Sequence, residues 1–178
     1  REQLAERGVE VNVEFVDLRD HAHPVVDAML TGFAPSGLRE VLDAVAGADG
    51  LIAVTPIFNA SYSGLFKSFF DVLGDETLAD KPVLIAATGG TARHSLALEH
   101  ALRPMFAYLH AHVVGTSVFA ATDDWAAEEG KDGVSSLRRR IVRAAAELAA
   151  EVARREPATV ADPFELTTDF AGLLAAGD

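Results

Sequence analysis

Two runs of apolar residues, at positions 51–54 and 83–87, limit most strongly the folds open to this chain. Every residue in both runs is apolar, and a threonine follows each run at once. A strand with one wet face alternates apolar and polar residues, whereas a strand covered on both faces does not. The two runs therefore predict central parallel strands lying between two layers of helices.

Helical spacing of apolar residues follows each run. The first such stripe comprises Leu65, Phe66, Phe69, Phe70 and Leu73. The second comprises Leu98, Leu102, Met105 and Leu109, and Pro104 within it is expected to interrupt the helix. Further strands are predicted at 9–15, where apolar and polar residues alternate, and at 113–119. Strands that alternate with helices indicate a doubly wound α/β domain with right-handed crossovers.

The start of the chain predicts one more strand. Residues 1–7 favour a helix that leads into the strand at 9–15, and a crossover helix needs a parallel strand on either side. We therefore expect a first strand and its loop ahead of Arg1, which gives a parallel sheet of five strands. Residues 1–156 are predicted to form this single domain. The tail at 157–178 is expected to pack on the domain or on a neighbouring subunit.

Charge and composition exclude several classes of protein. With 15 Lys and Arg against 27 Asp and Glu, the net charge of −12 repels nucleic acid and anionic membrane surfaces. The absence of cysteine excludes thiolate nucleophiles and cysteine-based metal centres. No apolar run approaches the roughly 20 residues that cross a bilayer, so we expect a cytoplasmic protein. The histidines are not spaced as metal ligands, and no metal is expected.

The loops that follow the two apolar runs are the candidate site, because ligands of such sheets bind beyond the carboxyl ends of the strands. The first loop reads TPIFNASYSG from position 55, and the second reads TGGTARH from position 88. Their small residues allow main-chain N–H groups to approach a flat ligand. A side chain added at Gly89 is expected to intrude on the space of that ligand.

The run TPIFNASYSGLFKSFFD at positions 55–71 resembles the signature Pro-x-Tyr-Asn-x-Ser-x-x-Gly-x-Leu-Lys-x-x-Asp of the NAD(P)H-dependent FMN reductases. The second loop, ATGGTARH from position 87, resembles that of the subgroup that supplies reduced flavin to two-component monooxygenases. The resemblance implies a flavodoxin-like fold with FMN and NAD(P)H as cofactors. It also implies hydride transfer from the nicotinamide to flavin N5, with no catalytic side chain.

The resemblance also implies which residues hold the flavin. From the first loop these are Thr55, Pro56, Ile57, Phe58, Asn59 and Ser61, and from the second they are Thr88, Gly89 and Gly90. Phe58 stands where the family often has tyrosine. The family's phosphate-binding loop follows the first strand, which we expect ahead of Arg1.

Three further features each have two interpretations. Arg93 and His94 either contact an anionic nicotinamide dinucleotide or are solvated loop charges. Lys67 and Asp71 are interpreted as an ion pair one helical turn apart, in preference to flavin contacts. The aromatic face within residues 65–73 is either core or a subunit contact.

We therefore predict an NAD(P)H-dependent FMN reductase that supplies reduced FMN to a partner monooxygenase. The family resemblance implies a homodimer or homotetramer, with the flavin site bordering a second subunit. The alternative is a non-enzymatic, flavodoxin-like electron carrier or regulatory flavoprotein, for which the acidic charge is suited to basic partners.

Overall fold

The computed structural model describes residues 1–126 and 135–158, in which helices lie on both sides of a sheet. The described strands are β1 (Leu51–Phe58), β2 (Ser61–Tyr62), β3 (Pro82–Gly89), β4 (His112–Val113) and β5 (Val118–Ala121). Their order is β2-β1-β3-β4, and β5 also pairs with β3. All pairs are parallel except β1 with β2. The predicted doubly wound α/β fold is confirmed, with an antiparallel hairpin added at one edge.

The helices form two layers. They are α1 (Glu2–Ala5), α2 (Ala22–Thr31), α3 (Ser36–Gly47), α4 (Gly64–Asp71), α5 (Arg103–Tyr108), α6 (Thr122–Ala126) and α7 (Ser136–Ala153). Alternate residues of β3 point to opposite sides of the sheet. Val83, Ile85 and Ala87 join the larger core with α2 to α5, while Leu84 and Ala86 pack against α7. This covering of both faces explains the continuous apolar run at 83–87.

The aromatic side chains of α4 lie in the larger core. Phe66, Phe69 and Phe70 are each less than 7% exposed. The ring centroid of Phe70 is 4.8 Å from that of Phe66 and 4.9 Å from that of Phe106. The core interpretation is therefore confirmed. A subunit contact through these three rings is wrong, because the chain's own helices cover them.

The strand predicted at 9–15 is wrong for the described residues. This segment has no strand pairing, and Phe15 is 89% exposed. Over residues 51–56, β1 pairs with β3 along one edge, and no partner on its other edge is found among the described residues. Ile52 and Val54, on the α7 side of β1, are also exposed. Alternation thus predicts an extended chain, but a strand also needs a neighbour to accept its hydrogen bonds.

The strand predicted at 113–119 is interrupted. Both β4 and β5 pair with β3, and the link between them is held by Glu147 of α7. The backbone N–H and the hydroxyl of Thr116 each donate to this carboxylate at 2.6 Å. These bonds lower the pKa of Glu147 despite its partial desolvation. Within the link, Val114 N–H still donates to the Val83 carbonyl of β3, whereas Thr116 donates to α7 and not to a strand.

Pro104 interrupts its helix as predicted. Residues Leu98–Leu102 form a π turn, in which Arg103 N–H donates to the carbonyl of Leu98, five residues back. Proline has no N–H to continue the ordinary ladder at this point. No helix of the described residues has the length and apolar character needed to span a membrane. The tail predicted at 157–178 lies outside the described residues beyond Ala158.

Candidate functional site

The two predicted loops lie side by side. Pro56 of β1 is paired in register with Thr88 of β3, and Gly89 with Ala121 of β5. Three parallel strands therefore end at one edge of the sheet, where the polar loop residues gather. This arrangement is the one that the sequence predicts for a ligand site at the carboxyl ends of the strands.

The first loop is a tight hairpin turn. Phe58 pairs with Ser61, and the two residues between them, Asn59 and Ala60, have φ angles of 49° and 68°. Both lie in the left-handed region, which asparagine tolerates but which costs alanine about 1 kcal/mol. The tip of this hairpin therefore consists of two residues in the left-handed conformation, neither of which is glycine.

A buried threonine fixes the base of this loop. Thr55 is 1% exposed, and its hydroxyl accepts from Ser63 N–H at 3.1 Å and donates to the Pro56 carbonyl at 3.0 Å. Ser63 Oγ in turn accepts from Phe66 N–H at 3.2 Å and caps α4. The side chain of Thr55 is thus engaged inside the protein, where it positions the loop. Sequence reasoning missed Ser63, although its place before an apolar helix is typical of a cap.

The other residues predicted in the first loop divide by exposure. Pro56, Phe58 and Asn59 are exposed at the tip, with Phe58 at 61%. Ile57 and Ser61 are half-buried, and Ile57 packs against the larger core. The exposed group is available to a ligand, while Ile57 anchors the loop to the sheet.

The two glycines of the second loop differ in their surroundings. A Cβ atom on Gly89 would lie 2.9 Å from Cζ of Phe119, whereas a Cβ atom on Gly90 would have nothing within 4 Å. The expectation for Gly89 is therefore corrected, because its missing side chain faces a core ring. Gly90 is the residue of the pair that leaves open space at the strand ends. Thr88 is half-buried beside them.

Main-chain donors are available at both tips. Within the described ranges, the N–H groups of Asn59, Ala60, Gly90 and Thr91 have no hydrogen-bond partner. The hydroxyl of Thr91 accepts from Arg93 N–H at 3.1 Å and starts a short 3-10 turn. Free donors beside open space at Gly90 fit a flat ring with acceptor atoms along its edge. The residues present therefore suit the ring of the flavin that the sequence resemblance implies.

A cavity of about 330 Å³ adjoins these tips. It is lined by Ala60 of the first loop, by Arg93 and His94 of the 3-10 turn, and by Leu96 and His100 beyond it. The structure thus brings Arg93 and His94 to the first loop, as a shared site requires. Sequence reasoning missed Ala60 and His100. The spacing of His100, four residues after Leu96, was the available signal, since such residues share a helix face.

The third strand end is held by an ion pair. Asp124 accepts from Ala121 N–H at 2.9 Å and from the Arg140 guanidinium at 2.8 Å. Arg140 also donates to the Phe119 carbonyl at 3.0 Å. The hydrogen bond from Arg140 is the largest cause that lowers the pKa of Asp124. These bonds tie α7 to the end of β5, beside Gly89.

The remaining candidates lie elsewhere. Lys67 and Asp71 form the predicted ion pair, with both side chains 41% exposed. His112 lies 3.2 Å from Glu151 of α7. Across residues 1–126 and 135–158, no group of three histidine or carboxylate side chains could hold a metal ion.

The chain is similar to proteins of one enzyme family. A model of the NADPH-dependent FMN reductase family matches residues 1–126. An FMN reductase (NADPH) from Pseudomonas aeruginosa is 39% identical over 124 residues, which are 68% of this chain and 67% of that protein. The NADH-dependent FMN reductase SfnE from Pseudomonas putida is 38% identical over 124 residues, 70% of this chain and 66% of that protein. The matched segment thus spans about two thirds of each relative.

Solved structures agree with these relatives. An oxidoreductase from Corynebacterium diphtheriae is 41% identical, with a TM-score of 0.81 over 87% of this chain and 83% of that one. The apo form of the NADH:FMN oxidoreductase EmoB is 30% identical, with a TM-score of 0.56 over 85% of this chain and 73% of that one. The same fold therefore carries flavin-dependent oxidoreductases among its solved members.

Proposed function

The chain belongs to the NADPH-dependent FMN reductase family, and from this premise we propose that it reduces FMN with NADH or NADPH at the paired ends of β1 and β3. The observation that carries the proposal is the register of Pro56 with Thr88, because it unites the two loops that the sequence assigns to the flavin. Bound FMN supplies the chemistry, since its ring accepts a hydride from the nicotinamide. The protein's part is to bind and orient.

We propose that main-chain donors and loop side chains hold the flavin ring. The free N–H groups at Asn59 and Gly90 are placed to donate to acceptor atoms on the ring, and preorganised donors of this kind stabilise negative charge as it develops. Pro56 and Phe58 offer apolar surface beside them. The remaining predicted residues are proposed to hold the two loops in position, and these are Thr55, Ile57, Ser61, Thr88 and Gly89.

For the nicotinamide substrate we propose contacts with Arg93 and His94. Both are exposed beside the first loop, in a chain whose net charge is −12. A local positive group in an acidic protein raises the concentration of an anionic ligand at that spot. This favours the binding interpretation over that of solvated loop charges.

We also propose that reduced FMN leaves this protein to serve a partner monooxygenase. The support is the ATGGTARH loop, which resembles that of the subgroup with this role. A homodimer or homotetramer remains part of the proposal. Its interface must use surfaces other than the buried rings of α4, and light scattering of the purified full chain measures its size.

The proposed reduction is tested by mixing the full chain with FMN and either NADH or NADPH under air. Loss of absorbance at the nicotinamide band, faster than with FMN alone, is the expected result. An electron carrier that exchanges electrons only with proteins would leave the nicotinamide unoxidised, and that result would remove the reductase proposal. The relatives, all named as reductases, favour the enzyme.

A further inference from the structure

The side chains that line the cavity beside the second loop differ in charge from those of the chain as a whole. The protein carries 12 more acidic than basic side chains, yet Arg93, His94 and His100 line this cavity and no Asp or Glu does. The remaining wall is apolar, from alanine and leucine side chains. A pocket of this kind attracts an anion and excludes a cation.

The nitrogen-bearing side chains of this wall are free to bind. Within residues 1–126 and 135–158, the Arg93 guanidinium and the imidazoles of His94 and His100 have no hydrogen-bond or ion-pair partner. By contrast, the acid nearest in sequence is already engaged. Glu99 accepts from Arg103 at 2.5 Å and from Ser117 Oγ at 2.9 Å, and it also interacts electrostatically with the adjacent His100. Its hydrogen bonds are thus made to groups outside the cavity.

The backbone fixes where these groups stand. The Thr91 hydroxyl holds the turn that carries Arg93. His100 N–H donates to the Leu96 carbonyl at 2.9 Å, which places both residues on one helix face. His100 itself lies in the π turn Leu98–Leu102, which the Arg103 N–H closes by donating to the Leu98 carbonyl. The three side chains therefore converge on one space from two successive turns.

We propose that this cavity binds a phosphate group of the nicotinamide dinucleotide, with Arg93, His94 and His100 as its ligands. This inference rests on the proposed function and adds His100 and a defined substrate subsite to it. A guanidinium binds phosphate oxygens through paired N–H donors, and an imidazole N–H adds a further donor. Ala60 in the opposite wall belongs to the flavin loop, so a dinucleotide held here lies beside the ring that it must reduce.

The phosphate of FMN is the other source of the same chemistry. The family resemblance puts that phosphate at the loop after the first strand, whereas this cavity adjoins the loop after β3. The dinucleotide is therefore the assigned occupant. Titrations with each ligand separate the two sources.

The test measures binding of NADP⁺, NAD⁺ and FMN to the full chain by calorimetry, with variants Arg93→Gln and His100→Gln. Each variant is expected to weaken NADP⁺ binding by about tenfold, the usual effect of losing a hydrogen bond to a charged group, and to leave FMN binding within about twofold. A matching loss for NAD⁺ locates the contact at the shared pyrophosphate. A loss confined to NADP⁺ locates it at the 2′-phosphate.

The control is Arg39→Gln, which removes the same charge from a different cavity, lined by α2, α3 and α4. It is expected to bind all three ligands like the wild type. Unchanged NADP⁺ and NAD⁺ affinity in both cavity variants overturns the proposal, as does a loss that is equal for FMN. Nicotinamide oxidation by the wild-type chain is measured in parallel. If it persists while the cavity variants bind normally, the subsite is wrong and the reductase activity stands.

Discussion

Gly89 lies against the tip of the Phe119 ring, so that a Cβ atom added to it would stand 2.9 Å from Cζ and 3.6 Å from Cε2 of the phenyl group. Phe119 is 6% exposed and belongs to the larger core, while Gly89 ends the strand that carries the second loop. The absence of a side chain at position 89 thus serves packing between β3 and β5. Its neighbour Gly90 has no such constraint, and the two glycines have separable roles.

Alanine substitutions at the two glycines are expected to affect different properties, stability at Gly89 and FMN binding at Gly90. Gly89→Ala crowds Phe119 and should lower the free energy of unfolding by about 1–3 kcal/mol. Gly90→Ala meets no protein atom, so it should leave stability nearly unchanged and weaken FMN binding by about tenfold, because the added methyl enters the open space above the loop. Urea unfolding and FMN titration of both variants measure these effects. Wild-type FMN affinity in Gly90→Ala would place the ring elsewhere.

The side chain of Asn59 can be tested without straining the turn. Because Asn59 has φ of 49°, alanine would add backbone strain, whereas Asn59→Gly removes the amide and keeps the conformation accessible. We expect FMN affinity to fall about fivefold through loss of one hydrogen bond, with little change in the melting temperature. Asn12→Ala, in the extended segment before α2, is the control. If Asn59→Gly binds FMN normally, only the backbone of this turn contacts the ring.

The strand at 83–87 and the helix stripe that contains Phe66 and Phe70 could be predicted because their apolar residues are buried. The run at 51–54 is different: the prediction that helices cover both faces is wrong there, because Ile52 and Val54 are exposed on the α7 side. The strand at 9–15 could not be predicted correctly, because its apolar alternation reports backbone shape but not whether a neighbouring strand accepts its hydrogen bonds.

The sequence predicted which loops form the candidate site, but it did not predict the contacts that their residues make. Residue types at 55–64 and 88–94 indicated where a ligand binds, since strand ends and glycines have local signals. That Gly89 faces Phe119 depends on residues 30 positions apart in sequence, and no local pattern encodes it. The same holds for the meeting of Ala60 with His100 across the cavity.

The left-handed alanine at the tip of the first loop predicts a stabilising substitution. Ala60 has φ of 68°, a conformation that glycine adopts without steric cost, so Ala60→Gly should raise the free energy of unfolding by up to about 1 kcal/mol. That gain corresponds to about 2–4 °C in melting temperature for a chain of this size. Ala150→Gly in α7 is the control of opposite sign, expected to cost about 1 kcal/mol. A lower melting temperature for Ala60→Gly would show that Cβ of Ala60 makes contacts worth more than its strain.

The carboxylate of Glu147 predicts an acid-sensitive part of the fold. Its pKa is lowered chiefly by the hydrogen bond from the Thr116 hydroxyl, with further bonds from the Thr116 N–H and from Arg143. A folded pKa below the unfolded one gives stability that is present above the unfolded pKa and is lost as pH falls through the folded value. Glu147→Gln should therefore unfold at lower urea concentration than the wild type near neutral pH. The difference should shrink as the pH falls below about 4.5, the ordinary pKa of a glutamate side chain. Glu40→Gln, an exposed change on α3, should track the wild type at every pH. A wild-type advantage over Glu147→Gln that stays constant in acid would mean that the charge of this carboxylate does not hold the link between β4 and β5.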